Sequence, residues 1–411
     1  MRSGRFSRVT LTALAGATVL VTAACGSSST AATTPATVPA SLSVSSFDVN
    51  FTAMSTLTAL HGAGSGLVGV ILPDTTSSVR YVNFDAPYLT KAFQMAGYAA
   101  SEFKIDNAQG NDATELALAQ ADITQGAKVL VMDPLDSTVG TQIQQAAAAK
   151  GVQVISYDRA TFTGTNTYYV SFDNVQVGKL IGQGFLQCLK DWNVSNPQVF
   201  TLNGGQDTDP NAIDFAKGYN SVVWGDTVPQ ETVGKTANGA TLVGDQVAPG
   251  WDNSKGQAIF QQAFTANPKI NATIEANDGL ANAVVTVLKQ NNVPANKIPT
   301  VGQDATLQGM ENVLQGYQCG SVYKAVYLEA QDAVALATIL RAGLTPPAAL
   351  VNSTTSPAAG KPGSTQPASL LTPLWTNKAN MATTVIKDNF VDKGALCTAV
   401  TAAVCSAAGI S

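Results

Sequence analysis

An acidic and a basic residue stand side by side in the stretch VQVISYDR, where Asp158 and Arg159 closely follow an apolar run at 152–156. The run has the length and composition of a strand that is buried on both faces. A carboxylate and a guanidinium after such a strand can offer charge-assisted hydrogen bonds to a polar ligand. The alternative is that the two side chains form a structural ion pair at the rim of a domain.

Polar side chains follow other apolar runs in the same manner. They are Asp74, Arg80, residues 203–211, Asn277, Asp278, Gln303 and Asp304. Carboxylate and amide acceptors interleaved with basic and amide donors match a ligand that carries a ring of hydroxyl groups, such as a pyranose. The apolar faces of such a ring pack on a flat Trp or Tyr side chain. The residue types therefore favour a binding site for a polyhydroxylated ligand.

The same inventory disfavours covalent catalysis and metal binding. The single histidine, His61, lies outside these clusters, and the chain contains no C-x-x-C pair. A Ser-His-Asp or Cys-His mechanism is therefore excluded, and we expect no metal and no cofactor. The stretch at 207–214 contains three acids but lacks the glycine and glutamate of a calcium loop. Acid pairs such as Asp133 with Asp136 leave a glycoside-processing enzyme as an alternative, because glycoside hydrolysis needs two carboxyls.

The elements that would position these side chains alternate from Leu67 onward. Apolar strand candidates are LVGVILP, AKVLVMDP, VQVISYD, PQVFTLNG, ATIEAND and IPTVGQD. Helical segments such as DATELALAQADITQG lie between them, and this alternation indicates parallel sheets that helices cover on both faces. Because there are too many units for one sheet of ordinary size, we predict two α/β domains. Open α/β sheets bind ligands beyond the carboxyl ends of their strands, where the polar residues lie.

Length and charge narrow the class of protein further. The chain has 411 residues, of which 45% are hydrophobic and 12% are charged, enough for two domains with real cores. It carries 23 basic and 28 acidic residues, and loss of the three arginines of a cleaved leader would make it more negative. Phosphate backbones repel a negative chain, so we expect no nucleic-acid partner.

The first 24 residues have the pattern of a secretory signal peptide, with three arginines, an apolar segment at 9–21 and small residues before Cys25. The ending TAAC resembles a bacterial lipobox, which predicts that Cys25 is acylated and becomes the mature N-terminus. Residues 25–66 are rich in small and polar types, and we interpret them as a flexible tether. We therefore expect a lipoprotein on the outer face of the cytoplasmic membrane, with an ordinary signal peptide as the alternative.

Four further cysteines follow the leader. They are Cys188, Cys319, Cys397 and Cys405. An even number in an exported chain favours two disulfides, and the sequence leaves all three possible pairings open. Free buried thiols are the alternative.

The motifs VLVMDPLDS, VISYDR, YYVSFDN, VGDQVAPGW, EANDG, VGQDA and VYKA occur in this order along the chain. Their succession resembles the type I periplasmic sugar-binding proteins of ABC importers, and most closely the D-xylose-binding branch. The resemblance runs from residue 67 to Cys397. It implies two Rossmann-like lobes with parallel sheets, a three-segment hinge and one sugar in the cleft between the lobes.

The resemblance also implies boundaries. The chain would cross between the lobes near Ser171, near Lys324 and at 365–372. The N-terminal lobe would then comprise 67–170 plus 325–367, and the C-terminal lobe 171–324 plus 368–411.

The resemblance also implies which residues bind the ligand, because positions of this sequence match the ligand-binding positions of the family. Arg80 and Tyr81 match the arginine and aromatic residue of the first loop, although the xylose branch more often has Trp at the second position. Asp158 and Arg159 match the pair that holds sugar hydroxyls. Positions in the second lobe and the hinge that match are Asn211, Trp251, Asp278 and Lys324, with Asn277, Gln303 and Asp304 as further candidates.

Three of these residues also have a structural interpretation. Asp278 could cap a helix that begins at Gly279, Trp251 could fill the core, and Lys324 could be a solvated lysine at the hinge. The function that the resemblance implies is a monomeric solute receptor that closes over a monosaccharide and presents it to an ABC permease. A sugar sensor coupled to chemotaxis or to a sensor kinase is the alternative.

Overall fold

The computed structural model describes residues 36–164, 167–205, 209–357 and 363–410. Its strands are β1 (Leu67–Leu72), β2 (Phe103–Asn107), β3 (Ala127–Met132), β4 (Gln153–Tyr157), β5 (Thr167–Phe172), β6 (Gln198–Gly205), β7 (Thr236–Ala237), β8 (Ala240–Pro249), β9 (Ala272–Glu275), β10 (Thr300–Gln303), β11 (Gln318–Tyr323), β12 (Ser353–Thr355), β13 (Gln366–Leu371) and β14 (Leu374–Asn377). Its α-helices are α1 (Thr58–Ala63), α2 (Ala86–Met95), α3 (Asp112–Thr124), α4 (Ser137–Ala148), α5 (Asn174–Asp191), α6 (Pro210–Val223), α7 (Asn253–Ala266), α8 (Asp278–Gln290), α9 (Leu307–Gln315), α10 (Val326–Arg341), α11 (Lys393–Val400) and α12 (Ala402–Ala407).

The first lobe is built on a sheet of seven strands in the order β12-β13-β5-β4-β3-β1-β2. All neighbours in this sheet run parallel except β12, which pairs antiparallel with β13. The central strands are buried along almost their whole length, which explains their unbroken Val, Ile and Leu runs.

The second lobe contains two smaller sheets, in the orders β7-β8-β6-β9 and β10-β11-β14. A backbone hydrogen bond of 3.0 Å from the Thr273 amide to the Pro299 carbonyl joins them, as does a 2.9 Å bond from the Val301 amide to Glu275 Oε2. The prediction of two α/β lobes with parallel sheets is therefore confirmed.

Most helices begin with a polar side chain that accepts a hydrogen bond from an amide of the first turn. These N-caps are Asn111, Asp136, Asp173, Asp209, Asp252, Asn277, Thr306 and Asp392. Many of the capped helices start immediately after a parallel strand. The caps of these helices therefore lie at the carboxyl ends of the strands, where the two lobes face each other.

Three crossings connect the lobes, at residues 172–174, 323–326 and 371–374. The first and third run side by side, because the Asp173 amide donates a 3.0 Å hydrogen bond to the Leu371 carbonyl. The boundaries expected after residues 170 and 367 fall inside β5 and β13, so both strands stay in the first sheet to their ends. Lys324 lies within the second crossing.

The prediction that residues 25–66 form a flexible tether is wrong for its second half. Two 3₁₀ turns, Val44–Ser46 and Thr52–Leu57, lead into α1. Apolar side chains of this segment lie in the main core of the first lobe, and they are Leu42, Phe47, Phe51, Met54, Leu57 and Leu60. Burial of these six side chains offsets the entropy of ordering the segment. Cys25 and the signal peptide lie outside the described residues.

Two disulfides are present, as predicted, and the structure decides their pairing. Cys188 on α5 is bonded to Cys319 on β11, with 6.0 Å between the Cα atoms. Cys397 on α11 is bonded to Cys405 on α12, with a Cα separation of 5.6 Å. The first bridge ties a helix to the sheet of the second lobe, and the second closes a short loop near the C-terminus. Within the described ranges, no helix is long and apolar enough to cross a bilayer.

Candidate functional site

A cavity of about 30 Å³, hereafter the inner cavity, lies between the carboxyl ends of strands from both lobes. The side chains around it are Ser77, Ser78, Arg80, Tyr81, Asp158, Arg159, Asp209, Asn211, Phe215, Trp251, Asn277, Gln303, Asp304 and Lys324. This set includes every ligand candidate from the sequence except Asp278. This volume can hold about two water molecules. It is small because side chains of the two lobes contact each other in the centre of the cleft.

Arg80 anchors the first lobe's half of the site. Its guanidinium donates to Asp85 through Nε and Nη2 at 3.0 and 2.8 Å, and to Glu329 Oε2 at 2.7 Å. Nη1 donates to Asp158 Oδ1 at 2.8 Å. Four of its five N–H groups are thus used within the protein, and only 2% of the side chain is exposed. Arg80 therefore fixes the carboxylate of Asp158 in place. We call Arg80, Asp85, Asp158 and Glu329 the Arg80 network.

Asp158 has a left-handed backbone, with φ of 59°. Its carbonyl accepts hydrogen bonds from the Tyr169 hydroxyl at 2.8 Å and from Asn211 Nδ2 at 2.9 Å, the latter reaching across from the second lobe. Burial by itself raises the pKa of Asp158, but the positive charges of Arg80, Lys324 and Arg159 outweigh it and lower the pKa to about 2. Asp158 is therefore ionised and acts as a hydrogen-bond acceptor.

Asp158 and Arg159 do not form the direct ion pair that their adjacency suggested. Arg159 instead donates to the Tyr81 hydroxyl and to the Pro134 carbonyl, at 3.1 and 3.3 Å. Its Nε lies 3.8 Å from Asp133 Oδ1 and 3.9 Å from Asp209 Oδ2. The Tyr81 hydroxyl links the two groups, since it donates to Asp158 Oδ2 at 3.1 Å.

The second lobe contributes the start of α6. Asp209 caps this helix and accepts a 2.8 Å hydrogen bond from Trp251 Nε1 on its other oxygen. Asn211 Oδ1 accepts a 3.0 Å hydrogen bond from Asn174 Nδ2 and lies 3.2 Å from the Tyr169 hydroxyl, whose single hydrogen is donated to the Asp158 carbonyl. Asn211 therefore joins the lobes through its amide nitrogen.

Trp251 forms a flat wall of the inner cavity. Its ring lies directly on the backbone of Gly204, where an added Cβ would come within 2.0 Å of the indole. Phe215 meets the ring edge-on, with 6.3 Å between the centroids. Trp251 thus combines both alternatives considered for it, because it packs on the scaffold and also lines the cavity.

Asn277 and Asp278 differ in role although they are adjacent. Asn277 lines the cavity and caps α8 through a 2.9 Å hydrogen bond from the Leu280 amide. Asp278 does not line the cavity, and it does not cap α8 either. Its carboxylate accepts from the Thr306 amide, Gln318 Nε2 and Ser321 Oγ, which fixes the loop after β10. Burial raises the pKa of Asp278 to about 7.

Gln303, Asp304 and Lys324 close the opposite side of the cavity. Lys324 Nζ lies 3.2 Å from Asp304 Oδ1 and 3.9 Å from Asp158 Oδ1, and the lysine is 3% exposed. The interpretation of Lys324 as a solvated residue is therefore wrong. Gln303 Oε1 is buried and has no hydrogen-bond partner among the described residues. This amide oxygen is available to a donor from a ligand.

Four residues of the site were not predicted, and they are Ser77, Ser78, Asp209 and Phe215. Asp209 carried a usable signal, because Asp before Pro at a helix start is a common cap. Phe215 lies one helical turn after Asn211, which places both on one face of α6. The serines are small polar residues in a loop and carried no signal of their own.

Asp133 and Asp136, the acid pair of the glycoside-processing alternative, are engaged in structural contacts. Asp136 caps α4 through the Thr138 and Val139 amides, and Asp133 is fully buried beside Arg159. Among the described residues, no cluster of three or more His, Cys, Asp or Glu side chains could hold a metal ion.

The chain is similar to several known proteins. The family model of the periplasmic binding protein domain matches residues 68–344. The D-xylose-binding periplasmic protein of Escherichia coli strain K12 is 32% identical over 288 residues, which are 70% of this chain and 80% of that protein. The multiple sugar-binding periplasmic receptor of Rhizobium radiobacter is 29% identical over 339 residues, which are 80% of this chain and 91% of that protein.

A solved structure shares the fold. The carbohydrate transporter solute-binding protein from Chloroflexus aurantiacus, in complex with D-glucose, aligns with a TM-score of 0.67. The alignment covers 80% of this chain and 98% of that chain at 24% identity.

Proposed function

Because the chain belongs to the periplasmic binding protein family, we propose that it is the extracytoplasmic sugar-binding component of an ABC importer. The ligand is a neutral monosaccharide, D-xylose or a related pentose or hexose, held between the lobes. The family members named above are binding proteins for sugars and not enzymes, so the glycoside-processing alternative is set aside.

The observation that carries this proposal is the convergence of three kinds of side chain on one cavity. Charged acceptors and donors come from Asp158, Asp304 and Arg159, and amides come from Asn211, Asn277 and Gln303. Trp251 and Tyr81 supply aromatic surface. Ring hydroxyls both donate and accept, and the ring's apolar face packs on an aromatic side chain, so this mixture suits a pyranose.

Closure of the lobes follows from how the ligand is held. The inner cavity of about 30 Å³ is smaller than a sugar, so a sugar enters only when the lobes separate. A ligand that contacts both lobes then favours a closed arrangement by its differential affinity. The closed form, acting as a monomer, is the signal that the permease reads.

A panel of pentoses and hexoses tests the proposal through thermal stabilisation of the purified protein. A sugar that binds the folded state at a hundredfold excess over Kd adds about 2.7 kcal/mol to the free energy of unfolding. We expect one or a few aldoses to raise the melting temperature. No shift with any sugar at millimolar concentration would overturn the proposal.

Anchoring is a separate part of the proposal and rests on the leader pattern that ends at Cys25. Cys25→Ala should release the protein from membranes without changing sugar affinity, because the cysteine precedes the folded lobes. Membrane fractionation measures this, and a variant that remains in the membrane pellet would contradict acylation.

A sensory role is the second candidate, because the relative from Rhizobium radiobacter is named a receptor. The two roles require the same closed form. Pull-down with the sugar-bound protein distinguishes them, since an importer component recovers a permease and a sensor recovers a kinase or chemoreceptor.

A further inference from the structure

A second and much wider cavity lies next to the inner one. It has a volume of about 910 Å³ and lies between the start of α3 in the first lobe and the start of α7 in the second. We call it the outer cavity. Four side chains line both cavities, and they are Ser77, Arg159, Asp209 and Trp251. The two spaces are therefore neighbours that share one wall.

The outer cavity stays wide while the lobes are in contact over the inner one. Asn211 and Asp158 are hydrogen-bonded across the cleft at 2.9 Å, and Lys324 lies 3.2 Å from Asp304. The inner space is reduced to about 30 Å³ in this arrangement, yet the outer one keeps about 910 Å³. Sites for small molecules have volumes of roughly 300–1,000 Å³. Contact between the lobes around the inner cavity therefore does not close the outer cavity, which has room for a group attached to a ring in the inner one.

The shared wall has hydrogen-bonding capacity that the protein does not use. Arg159 is 7% exposed, and its guanidinium has five N–H groups. Within the described ranges, it donates hydrogen bonds only to Tyr81 and to the Pro134 carbonyl. Trp251, at the same junction, lines both cavities. A buried donor next to an aromatic ring matches the linkage region of two sugar units.

The charges that line the outer cavity determine which kind of chemical group it can hold. Its charged side chains are Asp74, Asp112, Asp136, Asp209, Asp252, Arg159 and Lys255, so carboxylates outnumber cations. Such a wall repels a phosphate or carboxylate and accepts hydrogen bonds from hydroxyl groups. The outer cavity therefore suits a neutral sugar unit.

We propose that the outer cavity is a second sugar subsite, so that the protein binds a neutral disaccharide with one ring in each cavity. This inference rests on the proposed function, because the first ring must occupy the inner cavity. It extends the ligand class from monosaccharides to short neutral glycans.

Calorimetric titration with matched pairs of sugars tests the inference. D-xylose is compared with xylobiose, and D-glucose with cellobiose and maltose. Ala113 is exposed in the first turn of α3, and it lines the outer cavity but not the inner one. The side chain introduced by Ala113→Trp would therefore fill part of the outer cavity. Ala117 is exposed one turn later on the same helix and lines neither cavity, so Ala117→Trp is the matched control.

We expect a disaccharide to bind the wild-type protein at least as tightly as its monosaccharide. Ala113→Trp should weaken disaccharide binding by about tenfold or more, equivalent to about 1.4 kcal/mol, and leave the monosaccharide unchanged. Ser254→Trp, on the facing wall from α7, should act in the same direction. Monosaccharide binding without disaccharide binding, or equal losses for both sugars in Ala113→Trp, would overturn the inference and leave the proposed function intact. Failure of every sugar to bind would overturn both.

Discussion

The two lobes build their halves of the cleft in different ways. The first lobe's half depends on the Arg80 network, in which one guanidinium holds three carboxylates. The second lobe's half consists mainly of helix caps and amides, such as Asp209, Asn277 and Gln303. Within the Arg80 network, every carboxylate oxygen except Glu329 Oε1 accepts a hydrogen bond, whereas in the second half Gln303 Oε1 has no hydrogen-bond partner within the described ranges.

This difference separates two tasks that polar residues perform in one site. The Arg80 network is buried and uses its charges on itself, so it holds Asp158 in position before any ligand arrives. In the second lobe, the amide oxygen of Gln303 keeps free hydrogen-bonding capacity, which a ligand can satisfy when the lobes close. Substitutions in the first group should therefore affect folding most, and substitutions at the junction of the halves should affect affinity.

Arg80→Met should have the largest effect, and the effect should be on folding. Removal of the guanidinium leaves Asp85 and Glu329 buried without their ion-pair partner and takes the nearest cation away from Asp158, which costs about 3 to 5 kcal/mol of unfolding free energy. Urea unfolding measures the loss. Lys217→Met is the control, because its ion pair with Asp214 is partly exposed and should contribute less than about 1 kcal/mol. An equal loss of unfolding free energy in Arg80→Met and Lys217→Met would contradict the structural role of the Arg80 network.

Arg159→Ala should affect affinity more than stability. The variant loses buried donors at the cavity wall, so sugar binding should weaken by about 2 to 4 kcal/mol. Stability should fall less than in Arg80→Met, because the carboxylates near Arg159 are 3.8 and 3.9 Å away. Calorimetric titration and thermal melts of the same variant test this. A melt that collapses while affinity is intact would make Arg159 part of the scaffold.

Glu275 should give the second lobe a pH-dependent stability. Burial raises its pKa to about 8, and Oε1 has no hydrogen-bond partner among the described residues. The folded state therefore keeps a proton that the unfolded state loses above about pH 4.5, so stability is greatest at low pH and falls as pH rises toward 8. The free energy of unfolding of the wild-type protein should therefore fall between pH 5 and 8. Glu275→Gln should make this fall smaller by about 1 to 3 kcal/mol. Parallel urea titrations of both proteins measure it, and an unchanged slope would exclude Glu275 as the source.

Two adjacent serines provide the smallest and sharpest contrast. Ser78 Oγ donates across the cleft to Asp304 Oδ2 at 3.4 Å, whereas Ser77 Oγ donates within the first lobe to Asp74 at 2.6 Å. Ser78→Ala should change sugar affinity by less than about 1 kcal/mol and leave the melting temperature unchanged. Ser77→Ala should instead lower the melting temperature. If Ser78→Ala lowered the melting temperature and Ser77→Ala changed only sugar affinity, the loop as a whole, and not its individual contacts, would determine closure.

Much of the site could be read from the sequence because of one geometric rule. Parallel strands expose their carboxyl ends at one edge, so polar residues such as Asp158, Asn277 and Gln303 that follow apolar runs must lie near one another. The sequence does not distinguish neighbouring residues that face opposite ways. Asp278 follows Asn277 but points to the Ser321 side of the sheet, and a strand end does not reveal which of two polar residues faces the cleft.

The sequence by itself determined the α/β class and the division into two domains, it favoured two disulfides, and it placed most of the polar residues around the inner cavity at strand ends, because strand periodicity and cysteine number are properties of the sequence alone. Only the tertiary structure decided the disulfide pairing, the partners of Arg80 and Arg159 and the ordered segment at 42–63. Each of these depends on which distant surfaces meet. Arg80 contacts Glu329 and Leu57 packs in the core beneath α10 because the folded chain brings together residues that are far apart in the sequence.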